Sequence, residues 1–295
     1  MKILVTGCNG QLGNELRDVL EVAQPGVTDY VDIAELDITD AAATERFIMA
    51  GNYTHIVNCA AYTAVDRAEE EKSLCTAVNT DGIRNIAEAA SKSGAKVLHI
   101  STDYVFDGTA HRPYSEGDKP APVSHYGVSK RRGETALLGF VPDAIIVRTG
   151  WLYSSYGHNF VKTMLRLART QGKLRVVADQ IGTPTYAADL AAMIVRMLTA
   201  RQWIAGTYHF SNQGVASWYD FTHAIVEIAA LADTVTVKPI PTDDYPTPAE
   251  RPYYSVLDKS KIRATYGNEI AHWRDALKRC MARIAADEAS ATPNQ

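Results

Sequence analysis

The sequence predicts an α/β protein with a doubly wound parallel sheet and a second, smaller α/β domain. Short apolar runs alternate with amphipathic helical patterns in the first half of the chain, and this alternation loosens after about Gly150. Apolar strands separated by helices form crossover units, so the sheet is parallel and covered on both faces. We therefore predict one domain over residues 1–150, completed by segments from the second half, and a second domain formed mainly by residues 151–295.

The elements of the first half follow from its apolar pattern. Five apolar runs predict strands over Lys2–Thr6, Val27–Ile33, His55–Ala60, Lys96–Ser101 and Ala144–Thr149. Apolar residues at helical spacing predict helices over Leu12–Val22 and Ile83–Ser91. The second of these helices is followed by Gly94, a residue typical of a helix C-terminus.

The second half is predicted to consist of helices separated by turns. Its helical patterns cover Phe160–Thr170, Leu190–Leu198, Trp218–Leu231 and Trp273–Ala286. The stretch Pro239–Pro252 holds five prolines, which indicate turns rather than a helix. We expect this half to lie over the carboxyl edge of the sheet.

Composition excludes several classes of protein. The 295 residues are 46% hydrophobic and 22% charged, which is enough apolar surface for a full core, and the net charge of −4 argues against a dedicated nucleic-acid binder. Four cysteines without a Cys-x-x-Cys pair favour neither a zinc site nor a disulfide framework. Because no signal-peptide core or membrane-spanning apolar run is present, we expect a cytoplasmic protein without membrane or nucleic-acid partners.

A glycine-rich turn joins the first predicted strand to the first predicted helix. Gly7, Gly10 and Gly13 are spaced three residues apart within it. Three glycines also suit a purely structural turn. Between a strand and a helix, however, they let backbone N–H groups approach a pyrophosphate beside the positive end of the helix dipole. The placement therefore predicts a dinucleotide-binding Rossmann domain.

Asp32 indicates which dinucleotide is bound. It lies nineteen residues beyond Gly13, near the end of the second predicted strand. An acidic residue there accepts a hydrogen bond from the adenosine ribose 2′-hydroxyl and repels a 2′-phosphate. No lysine or arginine occurs between Arg17 and Arg46 to neutralise that phosphate. We expect NADH or NADPH as the cofactor, with NADH favoured, unless Asp32 simply faces water.

Tyr126 and Lys130 form a Tyr-x-x-x-Lys motif. On a helix this spacing places both side chains on one face, and a fixed positive charge lowers the pKa of a phenol from its ordinary value of about 10. A solvated surface pair would have the same spacing. Thr102, however, follows the strand Lys96–Ser101, at the edge of a parallel sheet where ligands bind. The glycine turn, Thr102 and the motif together predict proton donation by Tyr126 to a substrate carbonyl.

Eight segments spread over nearly the whole chain share their motifs with one family. They are VTGCNGQLG (5–13), NCAAYTAVDRAE (58–69), STDYVFDG (101–108), YGVSK (126–130), RTGWLY (148–153), HNFVKTMLRLA (158–168), DQIGTPT (179–185) and YPTPAERPYYSVLDKSK (245–261). On these motifs the chain resembles the extended short-chain dehydrogenases/reductases and, within them, the dTDP-4-dehydrorhamnose reductases.

The resemblance implies reduction of the C4 ketone of dTDP-4-dehydro-L-rhamnose by a nicotinamide hydride. Tyr126 would protonate the oxyanion, Lys130 would hold the nicotinamide ribose and lower the tyrosine pKa, and Thr102 would orient the carbonyl. The implied cofactor-binding residues are Gly7, Gly10, Gln11, Leu12, Gly13, Asp32, Asp37, Ile38, Ala61, Tyr62, Thr63 and Lys130. The implied residues for the sugar nucleotide are Thr102, Asp103, Tyr126, Trp151 and Arg251. Of these, Trp151 would stack on the sugar, and Arg251 would contact the diphosphate or the nucleotide.

The resemblance also bears on metal and oligomeric state. Some family members bind Mg²⁺ at a dimer contact through glutamates. Glu15 occupies a matching place, but Ala188 stands where another of these glutamates would be. We therefore assign no metal site, do not expect Mg²⁺ to bridge a dimer, and leave a homodimer open.

Two other functions remain open. A nucleotide-sugar epimerase or dehydratase on the same scaffold needs an additional acid/base pair, often a glutamate beside Thr102, where this chain has Asp103. A related non-catalytic branch is a nucleotide-binding regulatory subunit of methionine adenosyltransferase, which has no need of a proton donor. The presence of Tyr126, Lys130 and Thr102 favours the reductase.

Overall fold

Six parallel strands form the centre of the molecule. The structure is a computed structural model that describes residues 1–267 and 269–291. With strands numbered along the chain, the sheet consists of β1 (Ile3–Thr6), β2 (Thr28–Val31), β3 (His55–Asn58), β4 (Lys96–Thr102), β5 (Ile145–Thr149) and β10 (Gly206–His209). Their order across the sheet is β10-β5-β4-β3-β1-β2, and every pair is parallel. The predicted parallel sheet is confirmed.

Helices cover both faces of this sheet. One face carries α1 (Gln11–Ala23), α7 (Ala187–Leu198) and α9 (Ser260–Tyr266), and the other carries α2 (Ala41–Gly51), α4 (Gly82–Ser93) and α5 (His125–Phe140). A short helix α3 (Lys72–Thr76) precedes α4. The strands alternate accordingly: Ile3 and Val5 point into the first layer, and Leu4 points into the second. Side chains on a strand alternate between the two faces of the sheet, so a strand that is buried on both faces has a continuous apolar sequence.

The second half of the chain adds a smaller α/β layer. Its strands are β6 (Leu152–Tyr153), β7 (Lys173–Val177), β8 (Ile181–Gly182), β9 (Thr185–Tyr186), β11 (Ala216–Ser217) and β12 (Thr236–Ile240), and its helices are α6 (Phe160–Thr170), α8 (Trp218–Ile228) and α10 (Trp273–Ala291). β6 pairs with β9, β7 with β12 and β8 with β11. Tyr153, Phe221 and Leu277 are central in its core.

Several boundaries differ from the predictions for physical reasons. β2 is shorter than Val27–Ile33 because it lies at the sheet edge, where only Val31 is buried. α8 ends at Ile228 rather than Leu231, and Ala230 adopts a left-handed φ of 56° that a helix cannot continue through. β10 carries the sequence GTYH, which has no apolar run to predict a strand, yet it pairs with β5.

The strand order places a cleft at the carboxyl edge of the sheet. β2 lies on one side of β1 and β3 on the other, so the strand order reverses at β1. Crevices at such reversals are where open α/β sheets bind ligands. Within the described ranges, no helix combines the length and the apolar character needed to cross a bilayer.

Candidate active site

One cleft of about 950 Å³ opens at the carboxyl ends of the strands. Every site residue predicted from the sequence lines it, including the glycine turn, Trp151 and Arg251. The structure thus brings together segments that lie far apart in the chain. The role of each residue remains a prediction.

The glycine turn is closely packed and has room for an anion. Gly7 has a left-handed φ of 68°, and a Cβ atom on Gly13 would lie 2.4 Å from the Gly7 carbonyl oxygen. α1 begins at Gln11 with no side-chain cap, so the N–H groups of its first turn are available to a ligand. Gln11 Oε1 is buried and has no partner among the described residues. These features fit the pyrophosphate of a dinucleotide.

Asp32 lies at the edge of the cleft beside the glycine turn. Its Oδ2 accepts a hydrogen bond from the Asn9 N–H at 2.9 Å, which fixes the carboxylate. Among the described residues lining the cleft, the cationic lysines and arginines are Lys130 and Arg251, and both are bonded elsewhere. Among the described residues that line the cleft near Asp32 there is thus no lysine or arginine, although Arg17 contacts Cys8 of the glycine turn nearby.

Tyr126 is placed by the start of α5. The Ser124 side chain caps this helix by accepting a hydrogen bond from the Gly127 N–H, which puts Tyr126 in the first turn. A Cβ atom on Gly127 would lie 2.2 Å from the carbonyl oxygen of Tyr104. Glycine at 127 thus lets α5 approach the turn that follows Thr102, the last residue of β4. The role of Gly127 was not predicted from the sequence, although it stands inside the Tyr-x-x-x-Lys motif.

Burial sets the protonation of Tyr126. The residue is 9% exposed, and desolvation of the phenolate raises the pKa of Tyr126 above its ordinary value, an effect partly offset by the nearby Thr102. The net pKa of Tyr126 is raised because the desolvation of the phenolate outweighs the other contributions, and the lowering effect of Lys130 stays a prediction. At neutral pH Tyr126 is a phenol, the form that can donate a proton.

Lys130 is directed by polar groups beneath the cleft. Its Nζ donates a hydrogen bond to the carbonyl oxygen of Ile100 at 2.7 Å and lies 3.4 Å from His99 Nε2. Burial of the ammonium lowers the pKa of Lys130 to about 8. Lys130 is therefore mainly protonated at pH 7 and loses its charge in mildly alkaline solution.

Thr102 and Asp103 form a buried polar pair at the end of β4. Thr102 Oγ1 donates to Asp103 Oδ1 at 3.1 Å and accepts from the Tyr104 N–H at 3.2 Å. Burial raises the pKa of Asp103 to about 6, although hydrogen bonds from Ser255 and Thr102 act in the opposite direction. The pair presents a hydroxyl and a carboxyl group to the cleft.

Trp151 and Trp218, which both line the cleft, stack against each other. Their ring centroids are 3.4 Å apart and their planes differ by 4°. Trp151 has a left-handed φ of 50°, which is unusual for a residue other than glycine. Trp218 covers one face of Trp151, and Gly182 packs against the indole as well, because a Cβ atom on Gly182 would lie 2.5 Å from Trp151 Cε2. Stacking of a sugar on Trp151 stays a prediction. Trp218 was predicted as the first residue of a helix, and its place in the cleft was missed because nothing local in the sequence indicates it.

Arg251 already has partners within the protein. Its guanidinium donates to Asp66 Oδ2 at 2.6 Å and to the Tyr104 hydroxyl at 2.9 Å. These bonds join the proline-rich stretch to the loop after β3 across the mouth of the cleft. Asp66 lies within a quoted family segment but was not predicted as a site residue.

Glu15 lies outside this cleft. Its carboxylate is buried, accepts a hydrogen bond from Ser154 Oγ at 2.5 Å and is paired with Arg283 at 3.0 Å. Burial raises the pKa of Glu15. Within the described residues, no group of three or more His, Cys, Asp or Glu side chains is arranged to hold a metal ion.

Comparison with known proteins identifies the family. The RmlD substrate binding domain matches residues 1–286. A dTDP-4-dehydrorhamnose reductase of Aggregatibacter actinomycetemcomitans is 42% identical over 285 residues, covering 94% of this chain and 97% of the relative. The chain belongs to the dTDP-4-dehydrorhamnose reductase family. The resemblance inferred from the eight sequence segments is confirmed.

Solved structures of this family share the fold. A dTDP-4-dehydrorhamnose reductase of Clostridium acetobutylicum superposes with a TM-score of 0.93 at 41% identity, covering 97% of this chain and 100% of that one. A Bacillus anthracis reductase in complex with NADP gives a TM-score of 0.91 at 40% identity, with 96% and 100% coverage. The Thermus thermophilus UDP-glucose 4-epimerase, at 21% identity and a TM-score of 0.83, shares the fold alone. The predicted Rossmann domain with a smaller α/β domain is confirmed.

Proposed function

We propose that this protein reduces the C4 ketone of dTDP-4-dehydro-L-rhamnose to give dTDP-L-rhamnose, with Tyr126 as the proton donor. The observation that carries the proposal is the convergence of Tyr126, Thr102 and Lys130 in the cleft that begins at the glycine turn. Relatives at about 40% identity are named for this reaction. We also propose that residues 1–150, completed by α7 and β10, bind the cofactor and that the remaining residues mainly bind the sugar nucleotide.

The residues present suit a nicotinamide dinucleotide. The uncapped start of α1 and the glycine turn would hold its pyrophosphate, Asp32 its adenosine ribose and Lys130 its nicotinamide ribose. When bound, the cofactor supplies the hydride. The chain supplies the binding groups and the proton.

Proton donation follows from the arrangement around Thr102. Thr102 and Tyr126 both line the cleft, and Thr102 is near enough to the phenol to influence its pKa, so both hydroxyls can reach the same substrate oxygen. As negative charge develops on that oxygen, the Tyr126 O–H bond breaks, its proton forms the C4 hydroxyl, and a phenolate remains that regains a proton from solvent. Donors fixed in advance around a developing oxyanion cost no reorganisation during the reaction.

A cofactor-oxidation assay tests the proposed function. Purified protein is mixed with dTDP-4-dehydro-L-rhamnose and either NADH or NADPH, and the loss of the reduced nicotinamide and the sugar product are measured. We expect stoichiometric formation of dTDP-L-rhamnose. Tight nucleotide binding without turnover would instead indicate a binding subunit, and a product altered at C3 or C5 with no net cofactor oxidation would indicate an epimerase.

We also propose that NADH is the preferred cofactor. The Bacillus anthracis relative was crystallised with NADP, so the family scaffold can accept the 2′-phosphate. Here the fixed Asp32 carboxylate would repel it. The variant Asp32→Ser should raise kcat/KM for NADPH relative to NADH by about tenfold or more, the effect of removing one close like charge. Glu45→Ser, at an exposed carboxylate paired with Lys92, is the control. An unchanged cofactor ratio in Asp32→Ser contradicts the assignment.

A further inference from the structure

A row of polar side chains crosses the sheet beneath the cleft. Thr6, Asn58 and His99 occupy neighbouring positions on β1, β3 and β4, and we call them the polar row. All three are buried, and His99 has no exposed surface. Thr6 Oγ1 lies 2.6 Å from Asn58 Oδ1, and Asn58 Nδ2 lies 2.9 Å from His99 Nδ1. The row extends from the residue before the glycine turn towards α5.

The row ends at Lys130. His99 Nε2 lies 3.4 Å from Lys130 Nζ, and among the described side chains it is the one within hydrogen-bonding distance of that nitrogen. The other titratable groups near Lys130 are Glu134, Cys59 and Cys75. The Glu134 carboxylate is held by Arg148 through two hydrogen bonds of 2.8 Å, and burial raises the pKa of both thiols. Direct polar contact with the Lys130 amino group therefore comes from His99 and the Ile100 carbonyl oxygen.

The imidazole has a suitable form for each protonation state of Lys130. With the Asn58 NH₂ group towards Nδ1, the ring proton lies on Nε2, which can donate to a neutral amine but opposes an ammonium. Rotation of the Asn58 amide presents its oxygen to the ring, moves the ring proton to Nδ1, and leaves Nε2 free to accept from an ammonium. Thr6 suits both, because a hydroxyl can donate to the amide oxygen or accept from the amide nitrogen.

We propose that His99 is a positioning residue for Lys130: its neutral imidazole holds Nζ at the cleft and changes tautomer when Lys130 gains or loses a proton. The two arrangements differ by one proton, which Lys130 exchanges with the cleft. A lysine side chain has four rotatable bonds, so a fixed polar partner is needed to keep its amino group in one place. The inference rests on the proposed function in one respect, the contact of Lys130 with the nicotinamide ribose.

The first experiment follows the histidine tautomer in the wild-type protein. Protein labelled with ¹⁵N-histidine is titrated from about pH 6 to about pH 9.5, around the Lys130 pKa of about 8. We expect the His99 ring to stay neutral and to change from the Nδ1–H to the Nε2–H form as Lys130 deprotonates. In Lys130→Met the ring should keep one form throughout. A single tautomer across the wild-type titration, or the same switch in Lys130→Met, overturns the proposal. This readout needs no substrate.

The second experiment uses two His99 variants, each of which keeps a polar group at a different ring-nitrogen position. His99→Asn keeps a polar group near the Nδ1 position, beside Asn58, and loses the one facing Lys130, whereas the longer His99→Gln reaches the Nε2 position. We expect His99→Asn to weaken NADH binding and lower kcat/KM by about tenfold or more, the effect of losing a hydrogen bond to a charged group. His99→Gln should stay within about threefold of wild type. His55→Asn, at the opposite end of β3, is the control.

The outcomes separate this inference from the proposed function. If His99→Asn binds NADH and turns over like wild type, or if both His99 variants lose activity and melting temperature equally, His99 has no positioning role. If the wild-type protein itself does not reduce the sugar, the proposed function fails. The NADH affinity of His99→Asn and the tautomer titration then still show whether His99 positions Lys130. If His99→Asn does not fold, the titration decides alone.

Discussion

At the scale of single residues, the protonation of Tyr126 defines its chemistry. The phenol is buried, and its pKa is raised by desolvation, so it enters the reaction carrying its proton. Tyr126→Phe removes that proton and leaves the glycine turn and Lys130 in place. We expect kcat to fall by about 10²-fold or more with NADH affinity nearly unchanged, because only transition-state protonation is lost. Steady-state kinetics and a nucleotide-binding titration check this, and a normal kcat would show that another group donates the proton.

Asp103 shows how ionisation of a buried carboxyl group at the same site lowers the stability of the fold. Its pKa is raised from 3.8 to about 6, so the folded protein binds more protons than the unfolded chain between these values. Stability therefore falls as pH rises from about 4 to about 6, by on the order of 2 kcal/mol. Asp103→Asn removes this penalty. The melting temperature of Asp103→Asn minus that of wild type should therefore be larger at pH 7.5 than at pH 4.

The control for this pH dependence is Asp107. Hydrogen bonds from Tyr114 and Thr109 lower its pKa, so its contribution to stability is present above the unfolded pKa and is lost as pH falls. Asp107→Asn should therefore lose nearly the same melting temperature at pH 7.5 and at pH 4, and less only below about pH 3.8. Parallel trends in the two variants would contradict the assignment of a raised pKa to Asp103.

At the scale of elements, the turn between β1 and α1 requires glycine more strictly at position 13 than at position 10. A Cβ atom on Gly13 would lie 2.4–2.6 Å from backbone atoms of Gly7 and Cys8, whereas one on Gly10 would meet only the Gly7 oxygen, at 3.3 Å. Gly13→Ala should therefore shift the turn, weaken cofactor binding by about tenfold or more, and lower the melting temperature. Gly10→Ala is the matched control and should be much milder. Thermal unfolding and NADH titration distinguish them, and equal effects would contradict this packing.

The start of α5 shows how elements place a reacting group. Gly127 allows the helix to come close to Tyr104, and the Ser124 cap fixes where the helix begins. Tyr126 and Lys130 then point from one helix face towards the end of β4. The spacing of the motif determines only that the two side chains share a face.

At the scale of the whole molecule, the ends of the chain are joined through Glu15. α10 supplies Arg283, whose guanidinium pairs with Glu15 and Asp18 on α1. Arg283→Met would leave a buried carboxylate with Ser154 as its remaining partner and should lower the free energy of unfolding by about 1–3 kcal/mol. Arg175→Met, which breaks an exposed pair with Asp244, should cost less than about 1 kcal/mol. Chemical denaturation measures both, and equal losses would show that burial of Glu15 is unimportant.

The sequence allowed much of the fold and site to be predicted, and the failures have specific causes. The strands β1, β3, β4 and β5 and the helix α6 were predicted because their apolar residues are buried in regular patterns, and β2 was predicted from a run of which only the end is buried. The four-residue strand β10 was missed because its sequence, GTYH, has no such pattern and pairs only through the tertiary fold. Asp66 and Trp218 were missed for a similar reason: their place in the cleft comes from distant segments, Arg251 in one case and Trp151 in the other.

The sequence by itself determined the parallel α/β fold, the glycine turn and the family, because hydrophobic periodicity and short motifs are local properties of the chain. The tertiary structure alone decided which groups share a protonation environment. Desolvation and contact depend on every segment that surrounds a side chain, so the raised pKa of Tyr126 and the meeting of His99 with Lys130 appear only once β4 and α5 are packed together.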